Sequence, residues 1–408
     1  MLSISVARRK FLPAALLLVL LAYNLAAQEG DPKSRDLPEP VRATIEALDK
    51  TATEATKDPE NGSYSIAIVD KSGILWIKSF GLADVERKIA ATPATEYRIY
   101  SITKQFTALM LLQLVYDGKV RLSGPAQECY SEIAAIQRQA YPHSSPITLL
   151  QLATHTSGLP IGSVGTEESR RGPIAHWEEK LRQELAHTSL EFEPGTHLQY
   201  SNIGYAVLGA CLAHAAGVGY PQYIRDHILQ PLQMTHSGFE TPPGRDRLAT
   251  GYVLKDGKLS SAVPDAINRE GMGYAIPNGG LFSSAGDLAT FLRFEMGAGP
   301  GNVLPAKELD DNYNRVVISS GDLQTGFGIG FQSFTPVDWY PKGGLANFYG
   351  HTGGNAGYTN AIMFETHTKI GLVVLHNDGR DNSGFNRLLS VFVHTLDISK
   401  MPPTRRQD

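Results

Sequence analysis

Short apolar runs near both ends of the chain predict β-strands. Two runs in each end region are separated by polar turns, the pattern of antiparallel hairpins. These runs are Ser65–Val69, Ile74–Ile77, Thr359–Phe364 and Ile370–Leu375. The segment Phe327–Gln332 alternates glycine with larger residues, and we predict a further strand there.

Apolar residues recur at helical spacing in the middle of the chain and at its flanks. The predicted helices are Val41–Ala55, Phe106–Tyr116, Ile147–His155, Ile203–Ala216, Ala285–Phe294 and Phe385–Leu396. Antiparallel hairpins at both ends argue against a doubly wound parallel sheet. We therefore predict an α+β fold: one antiparallel sheet built from both chain ends, flanked by helices, with a mostly helical lobe inserted into it.

The first 27 residues resemble a secretory signal peptide. Arg8, Arg9 and Lys10 precede the apolar stretch Phe11–Tyr23, and small residues precede Gln28, as in exported proteins. The stretch has about 13 residues, fewer than the roughly 20 needed to span a bilayer, so no stable membrane anchor is expected. Export to the periplasm or medium is predicted, and the Arg8–Lys10 run also resembles a twin-arginine signal; an uncleaved anchor is the alternative.

Removal of residues 1–27 would leave 381 of the 408 residues, more than one core usually fills, so two lobes are expected. We predict a linker over 28–38, a globular domain over 39–398 and a polar tail over 399–408. Within the domain, the sheet lobe spans about 39–100 and 300–398, and the helical lobe spans about 101–299.

Composition excludes several classes of function. The formal net charge of −4 offers no basic surface for nucleic acid. No H-E-x-x-H and no G-x-S-x-G occur, so a zinc hydrolase and an α/β-hydrolase are disfavoured, and no metal or cofactor is expected. With only Cys129 and Cys211, no disulfide framework is predicted, and Cys211, in an Ala-rich helical pattern, is interpreted as a buried thiol.

Ser101 and Lys104 form the first candidate catalytic pair. They stand three residues apart at the start of the apolar helix, and such residues share one face. Serine needs a base to attack a carbonyl. Lysine can be that base if burial and the positive helix start lower its pKa. The alternative is a chance S-x-x-K with its lysine in solvent.

Two further motifs follow in the chain. Tyr200-Ser201-Asn202 precedes a helix; the phenol could move a proton if cations lowered its pKa, and Asn202 could cap the helix. His351-Thr352-Gly353-Gly354 lies before the second hairpin, where glycines let a strand approach a ligand closely. Taken singly, each motif is better explained as a turn.

The order and spacing of the three motifs resemble the class C β-lactamase-like serine hydrolases, which include penicillin-binding D-Ala-D-Ala carboxypeptidases, D-aminopeptidases and esterases. Four stretches are also similar to that family: Arg98–Thr107, Ile147–Leu159, Asn278–Leu288 and Gly350–Tyr358. The resemblance implies a β-lactamase/transpeptidase-like fold and an exported hydrolase that acts on an ester or amide of a small molecule or peptide through an acyl-enzyme. It leaves the oligomeric state, the natural substrate and the choice between hydrolysis and acyl transfer open.

The resemblance also implies residue roles. Ser101 would be the nucleophile, with Lys104 and Tyr200 moving its proton and Tyr200 held as a phenolate by neighbouring cations. Asn202 would orient the substrate and contact Lys104. The backbone N–H groups of Ser101 and Gly354 would form the oxyanion hole, and His351, Thr352 and Gly353 would line the substrate.

His351 departs from the family pattern, which usually has lysine there. A histidine with an ordinary pKa is about one-quarter protonated at pH 7. It should therefore bind a substrate carboxylate weakly and with a pH dependence, which favours esters or amides that lack an obligatory carboxylate. A non-catalytic, penicillin-recognising sensor or scaffold is the alternative; all three motifs are intact, which disfavours it. His155 is interpreted as a hydrogen-bonded structural residue.

Overall fold

The computed structural model describes residues 37–162, 171–240, 247–256, 258–262, 271–313, 317–318, 325–334, 348–355, 357–380 and 382–396. The predicted signal peptide, the polar tail and all of the linker but its last two residues lie outside these ranges. The domain boundaries remain predictions.

In the described chain, a first helix and four strands are followed by six α-helices in succession, and strands return in the second half. The α-helices are α1 (Glu39–Ala55), α2 (Thr103–Tyr116), α3 (Glu132–Ala140), α4 (Leu149–Ala153), α5 (Trp177–Leu185), α6 (Asn202–Ala216), α7 (Tyr220–Ile224), α8 (Ile276–Gly279), α9 (Ala285–Glu295), α10 (Ala306–Tyr313) and α11 (Ser383–Thr395). The strands are β1 (Ser63–Asp70), β2 (Gly73–Asp84), β3 (Ile89–Ala90), β4 (Glu96–Arg98), β5 (Tyr252–Lys255), β6 (Lys258–Ser261), β7 (Phe282–Ser284), β8 (Val317–Ile318), β9 (Thr325–Phe327), β10 (Gln332–Phe334), β11 (Phe348–Asn355), β12 (Tyr358–Glu365) and β13 (Gly371–His376).

One antiparallel sheet joins the two chain ends. Its strand order in the described ranges is β3-β2-β1-β13-β12-β11-β10-β9-β8. In the middle, β1 pairs with β13 in a register that sets Tyr64 opposite His376. Both predicted hairpins are present, as β1–β2 and β12–β13. The predicted α+β architecture is therefore confirmed.

Helices cover both faces of this sheet. On one face α1 packs on α11, and the two helices bury Val41, Ile45, Leu388 and Phe392 against the strands. On the other face α9 packs on β1 and β13. Although α9 falls inside the range expected for the helical lobe, it belongs spatially to the sheet.

Two helices at the centre of the helical lobe are apolar around nearly their whole circumference. All residues from Thr103 to Leu114 in α2 are buried, as are those from Ile203 to Ala213 in α6. A helix of this kind has to lie inside the protein, and α2, α6 and α8 pack on one another. Gly209 makes the close approach possible, because a Cβ there would meet Pro277 at 2.4 Å.

Two sequence predictions are wrong. Phe327–Gln332 is the turn of a β-hairpin rather than a strand: β9 and β10 pair across it, and the N–H of Gly328 donates to the carbonyl of Phe331. Cys129 and Cys211 form a disulfide between α6 and the turn before α3, with Cα atoms 4.9 Å apart. A disulfide between residues 82 positions apart is a tertiary contact without a local sequence signal.

Within the described ranges, no single helix has the length and apolar composition to cross a membrane; a pair bent by 76°, Asn202–Ala216 with Tyr220–Leu229, meets those two criteria alone.

Candidate active site

Ser101 lies in a 3₁₀ turn, Tyr100–Ile102, that leads directly into α2. We refer to this segment as the nucleophile turn. Tyr100 has φ of +45°, a left-handed conformation that is strained for a large side chain. Its ring packs on Tyr358 with centroids 6.1 Å apart. The tight turn leaves Ser101 half-buried, at the surface of a region that is otherwise enclosed.

Lys104 is completely buried, and its Nζ joins three elements of the fold. It lies 3.2 Å from Ser101 Oγ, 2.8 Å from Asn202 Oδ1 and 2.9 Å from the carbonyl oxygen of Asn278. The start of α2, the start of α6 and α8 therefore meet at this amine. The structure brings Ser101, Lys104 and Asn202 together, as the sequence predicted.

Burial lowers the pKa of Lys104 well below its usual value. None of the described groups within hydrogen-bond distance of Nζ is an anion that would restore the charge. A neutral amine has two N–H groups and one lone pair. The N–H groups can donate to Asn202 Oδ1 and to the Asn278 carbonyl, so the lone pair is left to accept the hydroxyl proton of Ser101.

Asn202 occupies the first residue of α6 and does not cap it. The cap is Ser201, whose Oγ accepts a hydrogen bond from the N–H of Gly204 at 2.9 Å. The sequence interpretation of Asn202 as the cap is therefore wrong by one residue. This shift leaves the Asn202 amide free to contact Lys104.

Tyr200 places its phenol next to Ser101, close enough for the serine side chain to lower the pKa of the phenol. Its ring centroid is 4.8 Å from Lys104 Nζ. Burial raises the pKa of Tyr200, and the influence of Ser101 offsets only part of that rise. The expectation of a phenolate is therefore not met: the phenol is neutral, and Lys104 is the group prepared to accept a proton.

Strand β11 carries His351, Thr352, Gly353 and Gly354 past the nucleophile turn. A Cβ at Gly353 would meet the carbonyl oxygen of Ile99 at 2.0 Å, so only glycine allows the strand to lie this close. Gly354, the next residue, is exposed. Its N–H and that of Ser101 thus belong to two segments in direct contact, as an oxyanion hole requires.

His351 is buried, and its Nδ1–H donates to its neighbouring carbonyl, that of Thr352, at 2.5 Å. Burial, together with nearby Lys104, lowers the pKa of His351 to about 3. The imidazole is neutral throughout the neutral range. The sequence-based expectation of partial protonation near pH 7 is therefore wrong, because it assumed an ordinary pKa.

Two residues that the sequence did not assign to the site also contact it. Asn278 supplies a backbone carbonyl to Lys104; a backbone role leaves no signal in residue type. His155, interpreted only as structural, is hydrogen-bonded, but its ring also lies 4.4 Å from that of Tyr200. The sequence shows that His155 lies in the Thr154–Gly158 run, but its proximity to Tyr200 depends on the tertiary fold.

In the part of the chain that the structure describes, no three His, Cys, Asp or Glu side chains are grouped as a metal centre requires. The arrangement is instead that of a nucleophile with its base. A hydroxyl, an amine held against it and a phenol surround one point, beside two candidate backbone donors.

Comparisons with known proteins agree with this arrangement. The chain is 29% identical over 233 residues to Protein flp of Staphylococcus aureus (strain MW2), covering 57% of this chain and 45% of that protein. It is 28% identical over 359 residues to Beta-lactamase-like protein 2 of Dictyostelium discoideum, covering 82% of this chain and 61% of that protein. The chain therefore spans about half to three-fifths of the length of these relatives.

A solved structure, that of the octameric penicillin-binding protein homologue from Pyrococcus abyssi, superimposes with a TM-score of 0.69 at 26% sequence identity. The match covers 86% of this chain and 77% of that one. The sequence model of the Beta-lactamase family matches residues 48–390, which include the nucleophile turn, the start of α6 and β11. The chain belongs to the Beta-lactamase family, whose members are generally serine hydrolases.

Proposed function

We propose that this protein hydrolyses an ester or amide through an acyl-enzyme on Ser101. The observation that carries the proposal is the hydrogen-bonded group of Ser101, buried Lys104 and Asn202. A lysine with a lowered pKa, to which no anion bonds within the described ranges, is costly to bury. Because this amine contacts a half-buried serine hydroxyl, it can act as the base that activates that hydroxyl.

In the acylation step, the Lys104 amine accepts the proton of the Ser101 hydroxyl while Oγ forms a bond to the substrate carbonyl carbon. The π electrons of the carbonyl move to its oxygen, which accepts hydrogen bonds from the N–H groups of Ser101 and Gly354; one such donor is typically worth about 3–4 kcal/mol. As the tetrahedral intermediate collapses, the neutral Tyr200 phenol donates its proton to the leaving group. The Lys104 ammonium then returns a proton to Tyr200.

In the deacylation step, water attacks the acyl carbon and gives up a proton through the same amine. The bond from the carbon to Ser101 Oγ breaks, and Oγ takes the proton back. The carboxylic acid product leaves, and Lys104 is neutral again, so each proton that the amine takes up is released within the same step.

The substrate class follows from the strand side of the site. A lysine at the first position of the third motif would be a fixed cation, whereas buried His351 is neutral. We infer that the acyl donor does not need a carboxylate at that position. Neutral esters and amides therefore fit this site better than β-lactams or D-Ala-D-Ala peptides.

The test compares wild type with Ser101→Ala, both as the full chain, on a short-chain p-nitrophenyl ester and on a chromogenic cephalosporin. We expect ester turnover that Ser101→Ala abolishes, with little cephalosporin hydrolysis. Substitution of Ser157, a buried serine four residues from α4, by alanine controls for a lost hydroxyl elsewhere. Turnover that survives in Ser101→Ala would overturn the nucleophile; fast cephalosporin turnover would overturn the substrate class.

We also propose that the protein is exported by its N-terminal segment and acts in the periplasm or outside the cell. The Cys129–Cys211 disulfide supports this, since such bonds persist in oxidising compartments. Cell fractionation, with thiol labelling of the denatured protein before and after reduction, tests it. A cytoplasmic protein with two labelled thiols would contradict the proposal.

A further inference from the structure

His155 is buried against Tyr200, and its two acceptor atoms bond the backbone on either side of that tyrosine. Its carbonyl oxygen accepts the N–H of Gln199 at 2.8 Å. Its Nδ1 accepts the N–H of Ser201 at 3.0 Å. One residue thus fixes the main chain immediately before and immediately after the phenol that contacts Ser101.

The ring of His155 fixes the Tyr200 side chain as well. The two ring centroids are 4.4 Å apart, with an angle of 35° between the planes. Tyr205 packs against the same imidazole at 5.1 Å, and Phe327 meets it edge-on at 5.1 Å and 86°. Because the imidazole is packed on several sides and 2% exposed, it has little freedom to move, and neither does the tyrosine in contact with it.

The backbone of His155 is specialised for this contact. Its φ is +60°, in the left-handed region that is uncommon for residues other than glycine but that asparagine, aspartate and histidine adopt more often than the rest. This conformation comes directly after Thr154, the C-cap of α4, which ends at Ala153. A turn that served only to end the helix could use glycine there without strain.

The protonation state is consistent with the hydrogen bonds. Burial, and then the nearby Lys104 and His351, hold the pKa of His155 well below its usual value. Nδ1 therefore keeps the lone pair that accepts the Ser201 N–H. A protonated ring could not accept that bond.

We propose that His155 is a positioning residue, which sets the orientation of the Tyr200 phenol toward Ser101 and thereby the rate at which Ser101 is acylated. This inference rests on the proposed function. It differs from a general structural role in one respect: the effect of His155 on the reaction must pass through the hydroxyl of Tyr200.

A double-mutant cycle on the full chain tests the inference. The matched pair His155→Gly and His155→Asn suits the left-handed backbone; glycine removes both the acceptor and the ring, whereas the Asn Oδ1 can replace Nδ1 as the acceptor. Each is made alone and with Tyr200→Phe. The readouts are the rate of Ser101 labelling by a fluorophosphonate probe, kcat and KM for a p-nitrophenyl ester, and the melting temperature as a control for folding.

We expect Tyr200→Phe to slow labelling by about 10²-fold, as loss of a proton-transfer group does. His155→Gly should slow labelling and kcat by about tenfold with KM nearly unchanged, and His155→Asn should recover most of that loss. In the Tyr200→Phe background, His155→Gly should change the rate by less than about twofold, since coupled residues are not additive.

Equal slowing by His155→Gly in both backgrounds, no recovery in His155→Asn, or no effect of Tyr200→Phe would each overturn the inference. If His155→Gly does not fold, His155→Phe, which keeps a ring and loses the acceptor, takes its place in the cycle. Failure of the proposed function has a different signature: wild type would then not label, or Ser101→Ala would label equally well.

Discussion

The two sides of the site differ in how they hold their polar groups. On the helix side, Lys104 Nζ is within hydrogen-bond distance of both Ser101 Oγ and Asn202 Oδ1, and no anion among the described residues bonds it. On the strand side, His351 is turned to its neighbouring carbonyl, and Gly353 and Gly354 offer backbone alone. The difference teaches that the side chains able to transfer a proton lie on the helices, whereas the strand contributes backbone N–H donors and closes the site.

The largest effect should come from replacing the amine. Lys104→Arg replaces the neutral amine by a guanidinium whose pKa is too high for it to act as a base, and Lys104→Met removes the base. Each should lower kcat/KM for the ester by about 10³-fold or more. The control is Lys119→Arg, at an exposed lysine just beyond α2. A Lys104→Arg enzyme within threefold of wild type would contradict the assignment of the base.

A change at Asn202 should shift the pH dependence of the reaction. Asn202→Asp would place a carboxylate 2.8 Å from Lys104 Nζ, where the amide oxygen now lies, and a nearby anion raises the pKa of an amine. The amine would then be protonated at higher pH, so the acidic limb of the kcat/KM profile should move upward in pH and activity at pH 7 should fall about 10- to 100-fold. If the acidic limb of the pH–rate profile does not move, residue 202 does not influence the pKa of Lys104.

His351 should make the free energy of unfolding depend on pH. Its pKa is about 3 in the folded chain and about 6.5 when unfolded, so the unfolded state takes up the proton first as the pH falls. Stability should be greatest above pH 6.5 and decline toward pH 3, with about 2 kcal/mol lost by pH 5 through this residue. Urea unfolding at pH 7.5 and 5 should show a smaller loss in His351→Asn, while His187→Asn, at an exposed histidine, should behave as wild type.

The smallest effect should be a gain. His351→Lys would add a cation to the strand side, and we expect about a tenfold rise in kcat/KM for esters that carry a free carboxylate, typical of one added ion contact. A neutral ester of the same length is the control and should not gain. If the gain is not selective, the residue at position 351 does not determine whether the enzyme prefers charged or neutral substrates.

Much of the fold could be predicted because its elements have strong local patterns. The hairpin at β12 and β13 is marked by two apolar runs around a polar turn, and α2 by a continuous apolar stretch. The short strands β4 and β7 pair residues almost 190 positions apart, and three-residue strands have no period to recognise. Phe327–Gln332 was misread because a glycine alternation can equally form a tight hairpin.

The candidate site was predictable where residue type carries the chemistry. Ser101, Lys104 and His351 stand out in the sequence because only a few residue types can act as nucleophile, base or cation. Protonation states were not predictable in this way: Tyr200 and His351 deviate from expectation because burial, a tertiary property, sets their pKa values. The same holds for the contact of His155 with Tyr200.

The pairing of β1 with β13 sets the order in which the chain can fold. The two strands at the centre of the sheet are 312 positions apart at Tyr64 and His376, so the β1–β2 hairpin has an open edge until residue 376 has been synthesised. Such long-range pairing slows folding, and an unpaired apolar edge is prone to aggregation meanwhile. During synthesis, the open edge of the first hairpin is therefore a site at which aggregation can start.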